Sequence, residues 1–149
     1  MKFIVYTFGT FFGTGFAPVA PGTAGSLAAA VLMYLLPFNE LFWIAIILIL
    51  FITGVLCASQ IEREKGHDAG LIVIDEAVGQ WLALLFAPHT WTAYLSGFFL
   101  FRLMDIWKPY PINKSQTLPK GWGVMIDDVL AGLYTLIVLH LVLYTGLIS

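Results

Sequence analysis

Charge is what this chain has least of. Only 11% of its 149 residues are charged, seven Lys and Arg against nine Asp and Glu, while 60% are hydrophobic. A soluble domain is about a quarter charged. The shortage, with a mean hydropathy of +0.90, excludes an ordinary soluble protein and indicates a single integral-membrane domain over residues 1–149. Seven basic residues without a dense patch exclude a nucleic-acid binder. Cysteine is almost absent: Cys57 stands alone in an apolar run, so no internal disulfide can form and it reads as a small core residue. A continuous apolar run at the N-terminus is also missing. Lys2 and Ala20 imitate the ends of a secretion signal, but Gly9, Gly13, Gly15 and Pro18 interrupt the stretch between them. It therefore reads as an uncleaved, Gly-rich loop that dips into or lies on the membrane.

What the chain does have is apolar sequence in five pieces, at about 25–36, 41–59, 71–86, 91–107 and 124–147. The expectation is an all-α, polytopic membrane bundle of five segments. Pieces 25–36 and 71–86 fall short of the roughly 20 residues that a spanning helix prefers, so they are expected to be tilted, shielded or partly inserted. Lys2, Arg63, Lys65, Arg102, Lys108, Lys114 and Lys120 lie at the N-terminus and in or beside the two long polar loops. The short turns at 38–40 and 88–90 and the C-terminal Ser149 carry no Lys or Arg. Positive charge stays inside, which puts the N-terminus and long loops in the cytoplasm and the C-terminus outside.

The acids follow the same sidedness. Asp68, Asp75, Glu76, Asp105, Asp127 and Asp128 map to the cytoplasmic ends of the last three segments, and Glu40 to the opposite side. Two stretches repeat a pattern: IVIDEAVGQW and VMIDDVLAGL each carry an acidic doublet, with a glycine four residues after an Asp. Residues four apart share a helix face, and glycine there permits close helix approach. The third and fifth segments are thus expected to cross near Gly79 and Gly132, bringing both doublets together. Four such carboxylates repel unless a divalent cation neutralises them. An all-oxygen donor set favours a hard ion, Mg²⁺ above others. His89 and His140 lie toward the other face, and His67 has no second imidazole beside it, which argues against zinc. The plainer alternative is that the acids only favour helix starts through the dipole.

The cations admit two readings as well. Arg102 stands three residues before Asp105, and Lys108 follows the helix that Pro109 ends. They are either membrane anchors with a local ion pair or phosphate ligands, a fork-shaped guanidinium and a point charge. GTGFAPVAPGTAGSLAAAV brings hydroxyls at Thr14, Thr23 and Ser26 to a helix start, where backbone N–H groups suit an anion. Tight helix packing is its alternative use, and no Lys follows the glycines as in a Walker loop. Metal, cations and an anion site at one membrane face indicate phosphoryl chemistry on a phospholipid.

Three stretches occur in order within residues 9–132: FGTGFAPVAPGTAGSL, IVIDEAVGQ, and FRLMDIWKPYPI leading through LPKGWGVMIDDVLAG. Together they resemble the phosphatidylglycerophosphatase A family. The resemblance implies an all-helical, Mg²⁺-dependent phosphatase of the bacterial cytoplasmic membrane, its active site facing the cytoplasm. It would remove the terminal phosphate of phosphatidylglycerophosphate to leave phosphatidylglycerol, the last step of that lipid's synthesis. The implied metal carboxylates are Asp75, Glu76, Asp127 and Asp128. The expected catalytic set is Asp75, Glu76, Asp105 and Asp128, and the cations and hydroxyls read above add Arg102, Lys108, Thr23 and Ser26 as the expected phosphate ligands. Where the family pattern has a glycine pair before the final acids, this chain has Lys120–Gly121, which leaves Lys120 free to meet lipid phosphate.

Other lipid-phosphate chemistries lack their signatures: there is no PSGH-type stretch with a nucleophilic His, no Asp-x-Asp nucleophile after a strand, and no four-Asp array of the CDP-alcohol phosphotransferases. No single carboxylate stands apart from the cluster, so water is the expected nucleophile. A small cation carrier or channel subunit is the non-enzymatic alternative, but it would distribute acids through the membrane depth. The sequence sets no oligomeric state.

Overall fold

The computed structural model describes residues 2–147, and all the regular secondary structure among them is helical, without a strand. Seven α-helices follow in order: α1 Lys2–Gly9, α2 Pro21–Leu35, α3 Glu40–Lys65, α4 Ile74–Leu84, α5 Trp91–Trp107, α6 Ile112–Ser115 and α7 Gly121–Tyr144. A 3-10 turn at Thr14–Phe16 lies between the first two. Ser149, expected outside the membrane, is not among the described residues.

Local chemistry sets several helix ends. The Asn39 side chain accepts the Phe42 N–H at 2.9 Å and Thr90 accepts the Ala93 N–H at 3.3 Å, so α3 and α5 both begin on a capping residue. Pro21, whose missing N–H costs nothing at a first helical position, opens α2. Gly66, at φ 98°, ends α3.

Length separates the helices by role. At 1.5 Å rise per residue, the 26 residues of α3 and 24 of α7 extend about 39 and 36 Å. These two are long and apolar enough to cross a membrane. The 11 residues of α4 extend only about 16 Å. All of them except Glu76 and Leu82 are buried, so α4 is sheathed by protein and needs no bilayer-matched length. Trp81 anchors it: its Nε1–H donates to the Ala29 carbonyl of α2 at 2.8 Å, and its ring meets Phe11 and Trp43.

The tightest crossing is between α4 and α7, at the two glycines singled out by the repeated pattern. A Cβ on Gly79 would sit 2.6 Å from the Asp128 carbonyl oxygen, and one on Gly132 would sit 2.5 Å from the Gly79 carbonyl oxygen. Backbone meets backbone here, so only glycine fits.

The N-terminus differs from the expected loop, because Lys2–Gly9 is a helix. Eight residues make a marginal helix alone, and tertiary contacts supply what propensity does not. Lys2 pairs with Glu64 at 3.1 Å, Tyr6 donates to Glu64 at 3.0 Å, and a Cβ on Gly9 would strike Ile61 of α3. The irregular Gly-rich stretch is confined to residues 10–20.

These contacts gather α1, the C-terminal ends of α3 and α5, and the N-terminal ends of α4 and α7 at one end of the bundle. Glu40, which accepts the Phe86 N–H, and His89, which bonds the Tyr34 carbonyl, mark the other end. Between the ends, apolar side chains face outward, among them Leu48, Ile52 and Leu56 on α3, Phe99 and Leu103 on α5, and Ile137 and Leu141 on α7. Soluble monomers rarely expose apolar surface on this scale.

Candidate active site

The charged end of the bundle is built from four helices. α4 contributes Asp75 and Glu76 in its first turn, where the helix dipole favours negative charge. α7 contributes Asp127 and Asp128, and α5 contributes Arg102, Asp105 and the Lys108 that caps it. α2 brings its N-terminal turn, with Gly22, Thr23 and Ser26. Because Gly79 and Gly132 let α4 and α7 touch, acids more than fifty positions apart in sequence become neighbours.

Asp75, Glu76 and Asp128 form one group. Each offers a carboxylate oxygen, and the three oxygens lie within 4.8 Å of one another. Asp75 and Asp128 are 6% and 2% exposed. One oxygen on each of the three, Asp75 Oδ1, Glu76 Oε2 and Asp128 Oδ2, is buried without a hydrogen-bond partner. Buried carboxylate oxygens with nothing to accept are costly, and three carboxylates this close offer an all-oxygen site to a hard divalent cation. The residues therefore fit the Mg²⁺ that the sequence pattern implies.

Asp127 has other partners. Its Oδ2 accepts Lys108 Nζ at 2.6 Å and Gln116 Nε2 at 3.0 Å, while its Oδ1 accepts the Asp128 backbone N–H at 3.1 Å. The doublet thus divides, with one member turned to cations and loop, the other to the acid group. Asp105 bridges the cations, taking Arg102 on Oδ2 at 2.6 Å and Lys108 on Oδ1 at 3.1 Å. Burial works against the charge on Lys108, but Asp105 and Asp127 outweigh it and hold the ammonium protonated well above its ordinary range.

Backbone shape delivers that lysine. Lys108 caps α5 in the left-handed conformation, φ 47°, with its N–H on the Met104 carbonyl at 2.9 Å. Glycine is the usual residue at such a cap. A Lys there costs about 1–2 kcal/mol and places its amine between two helices.

Arg102 stands over the group from another side. A Cβ on Gly22 would collide with Glu76 Oε1 and sit 3.4 Å from an Arg102 terminal nitrogen, so the first turn of α2 lies directly against both. Ser26 donates to the Gly22 carbonyl at 2.8 Å and approaches Arg102 at only 3.5 Å. Thr23 is half-buried in the same turn and makes no hydrogen bond to the carboxylates. The Arg102 Nε–H is buried and unpaired, a donor available to an anion.

The structure thus brings Asp75, Glu76 and Asp128 into one group and joins Arg102, Asp105, Lys108 and Asp127 beside it. It adds two residues that the sequence did not single out. Gln116 comes from an irregular polar loop with no periodic signal. Gly22 lay inside the quoted Gly-rich stretch, but its individual importance depends on which side chain it faces.

A family model described as Phosphatidylglycerophosphatase A matches residues 7–143, a range that holds every carboxylate and cation of this site. A Bacteroides thetaiotaomicron protein named "Putative phosphatidylinositol-3-phosphatase" is 42% identical over 147 residues, covering 93% of this chain and 92% of the relative. Phosphatidylglycerophosphatase A of Escherichia coli is 39% identical over 136 residues, covering 88% and 78%. The Haemophilus influenzae protein of the same name is 41% identical over 140 residues, covering 89% and 85%. No solved structure matches the chain. With similarity running from α1 to the last turn of α7 and through the whole charged end of the bundle, this chain belongs to the phosphatidylglycerophosphatase A family.

Proposed function

We propose that this chain is a Mg²⁺-dependent lipid phosphatase that hydrolyses the terminal phosphate of phosphatidylglycerophosphate to give phosphatidylglycerol in phospholipid biosynthesis. The observation that carries the reading is the group of three carboxylates, each with a buried unpartnered oxygen, beside an arginine with a free buried N–H. Asp75, Glu76 and Asp128 would hold the ion. Mg²⁺ bound there would neutralise phosphate charge and lower the pKa of a water, which as hydroxide would be the nucleophile.

The remaining work falls to the protein's own groups. Arg102 supplies N–H donors to the phosphoryl oxygens as negative charge grows on them. Asp105 positions Arg102 through the 2.6 Å pair and orients Lys108 against Asp127. Lys108 keeps this pair of acids compensated, so that they do not compete for the ion. Gly22 leaves room for Glu76 and Arg102 under the α2 backbone, and Ser26 and Thr23 stand at the same helix start as candidate phosphate contacts. Attack by water needs no covalent phospho-enzyme, and trapping a phosphorylated carboxylate would overturn that part.

The domain spans residues 1–149 as a multi-pass protein of the bacterial inner membrane. Its N-terminus and charged end face the cytoplasm, where the headgroup of an inner-leaflet lipid reaches the acids. All five apolar segments take part in the membrane domain, with α4 inside a protein sheath.

Purified protein in detergent with Mg²⁺ is expected to release inorganic phosphate from phosphatidylglycerophosphate, and EDTA is expected to stop the release. Cation flux in liposomes without phosphate release would favour the carrier alternative instead. The Bacteroides relative's name favours a second substrate, a phosphatidylinositol phosphate, for the same site. A panel of lipid phosphomonoesters ranked by kcat/KM separates the two.

A further inference from the structure

Gln80 lies in the middle of α4, 0% exposed, and neither its Oε1 nor its Nε2 has a hydrogen-bond partner. A buried amide gives up its hydration, and here no protein bond offsets the loss. A Leu or Met would fill similar space between the helices without that cost. Packing alone therefore does not account for the residue.

Its place on the helix gives it a use. Gln80 stands four residues after Glu76, and side chains at that spacing share a helix face and can hydrogen-bond. Helical side chains lean toward the N-terminus, over the turn before their own Cα. The amide is thus directed back toward Glu76 and the acid group. Glu76 presses Oε1 against the α2 backbone at Gly22, while its Oε2 is buried and unpartnered. One turn of α4 therefore carries an unused carboxylate oxygen and an unused amide donor on the same face. The turn is also held rigidly, because Gly79 meets the α7 backbone at Asp128.

A carboxylate that ligates a cation is itself usually hydrogen-bonded, and that outer partner sets its orientation. We infer that Gln80 is the positioning residue of Glu76: with the site occupied, Gln80 Nε2–H donates to the Glu76 oxygen turned away from the ion. A neutral amide suits the task, since it supplies a donor without a positive charge to oppose the cation. The inference rests on the phosphatase reading and adds to it a residue that touches neither ion nor substrate.

The experiment measures Mg²⁺ binding apart from turnover. EDTA-stripped wild type, Gln80→Met and Gln80→Leu are titrated with Mg²⁺ by calorimetry in detergent. Phosphate release from phosphatidylglycerophosphate is followed over the same Mg²⁺ range. Both variants are expected to bind Mg²⁺ about 10–100-fold more weakly, with most of kcat returning at saturating Mg²⁺. Without metal they should melt at or above the wild-type temperature, because no unpaired amide is buried. Adding Gln80→Met to Glu76→Gln should cost little further affinity, since two residues acting as a unit are not additive. Wild-type affinity in both variants, unfolding of both without metal, or an equal further loss in the Glu76→Gln background overturns the role of Gln80 alone. Wild type that binds Mg²⁺ but leaves the lipid intact overturns the phosphatase reading, and the calorimetry still decides the role of Gln80. Wild type that does neither overturns both.

Discussion

Asp127 and Asp128 are adjacent in sequence and face different chemistry, so replacing each has a different consequence. Asp128 is a fully desolvated carboxylate beside two others. Asp128→Asn keeps its shape and removes one of three repelling charges. Mg²⁺-dependent phosphate release is expected to fall about 10²-fold or more, while the metal-free protein melts at the same or a higher temperature. A variant that lost activity only by unfolding would melt lower, so calorimetry beside turnover decides the point. Lys108 should behave in the opposite way. Lys108→Ala strips the compensating charge from Asp105 and Asp127, which bond it at 3.1 and 2.6 Å. It is expected to destabilise the fold by about 1.5–3 kcal/mol, read as a lowered midpoint in denaturant. The doublets were legible in the sequence because carboxylates in apolar runs demand compensation. The division of labour within the second doublet was not, since the groups that engage Asp127 arrive from a helix cap and an irregular loop, and neither has a period to read.

At the scale of elements, glycine decides which helices touch. Gly79 and Gly132 meet backbone atoms, which cannot move aside, whereas a Cβ on Gly54 would meet the Met125 thioether at 2.6 Å. Gly132→Ala is therefore expected to force α4 and α7 apart, costing about 1–3 kcal/mol and most of the phosphatase activity, because the acids ride on these two helices. Gly54→Ala asks only a flexible side chain to shift and gains about 0.5–1 kcal/mol of helix preference. Its stability should stay within about 1 kcal/mol of wild type, and equal damage from both substitutions would contradict the backbone-contact argument. The repeated glycine spacing made this crossing readable from the sequence. The surroundings of α4 were not readable, because an apolar run looks alike whether lipid or protein covers it. α1 was missed for a related reason: its stability comes from Glu64 and Ile61 of α3, far away in sequence.

For the whole molecule, sidedness is what connects the fold to a lipid substrate. The two long loops, α1 and the acid group share one end of the bundle, while Glu40 and His89 mark the other. In the orientation proposed from charge bias the first end lies in the cytoplasm, and a single crossing by α7 would then bring its C-terminal end outside. Two exposed positions test this directly, Asn113 in α6 and Thr145 just past α7. The native Cys57 is only 5% exposed and contributes little background labelling. In intact cells made permeable only at the outer membrane, a membrane-impermeant maleimide is expected to label Thr145→Cys. Asn113→Cys should label only after the inner membrane is opened. The reverse pattern would put the acids on the outer face, away from a lipid made in the inner leaflet. Labelling of both positions without permeabilisation would mean that α7 does not cross. The test is independent of turnover, because it reads where the two ends of α7 lie and not whether the acids between them hold an ion.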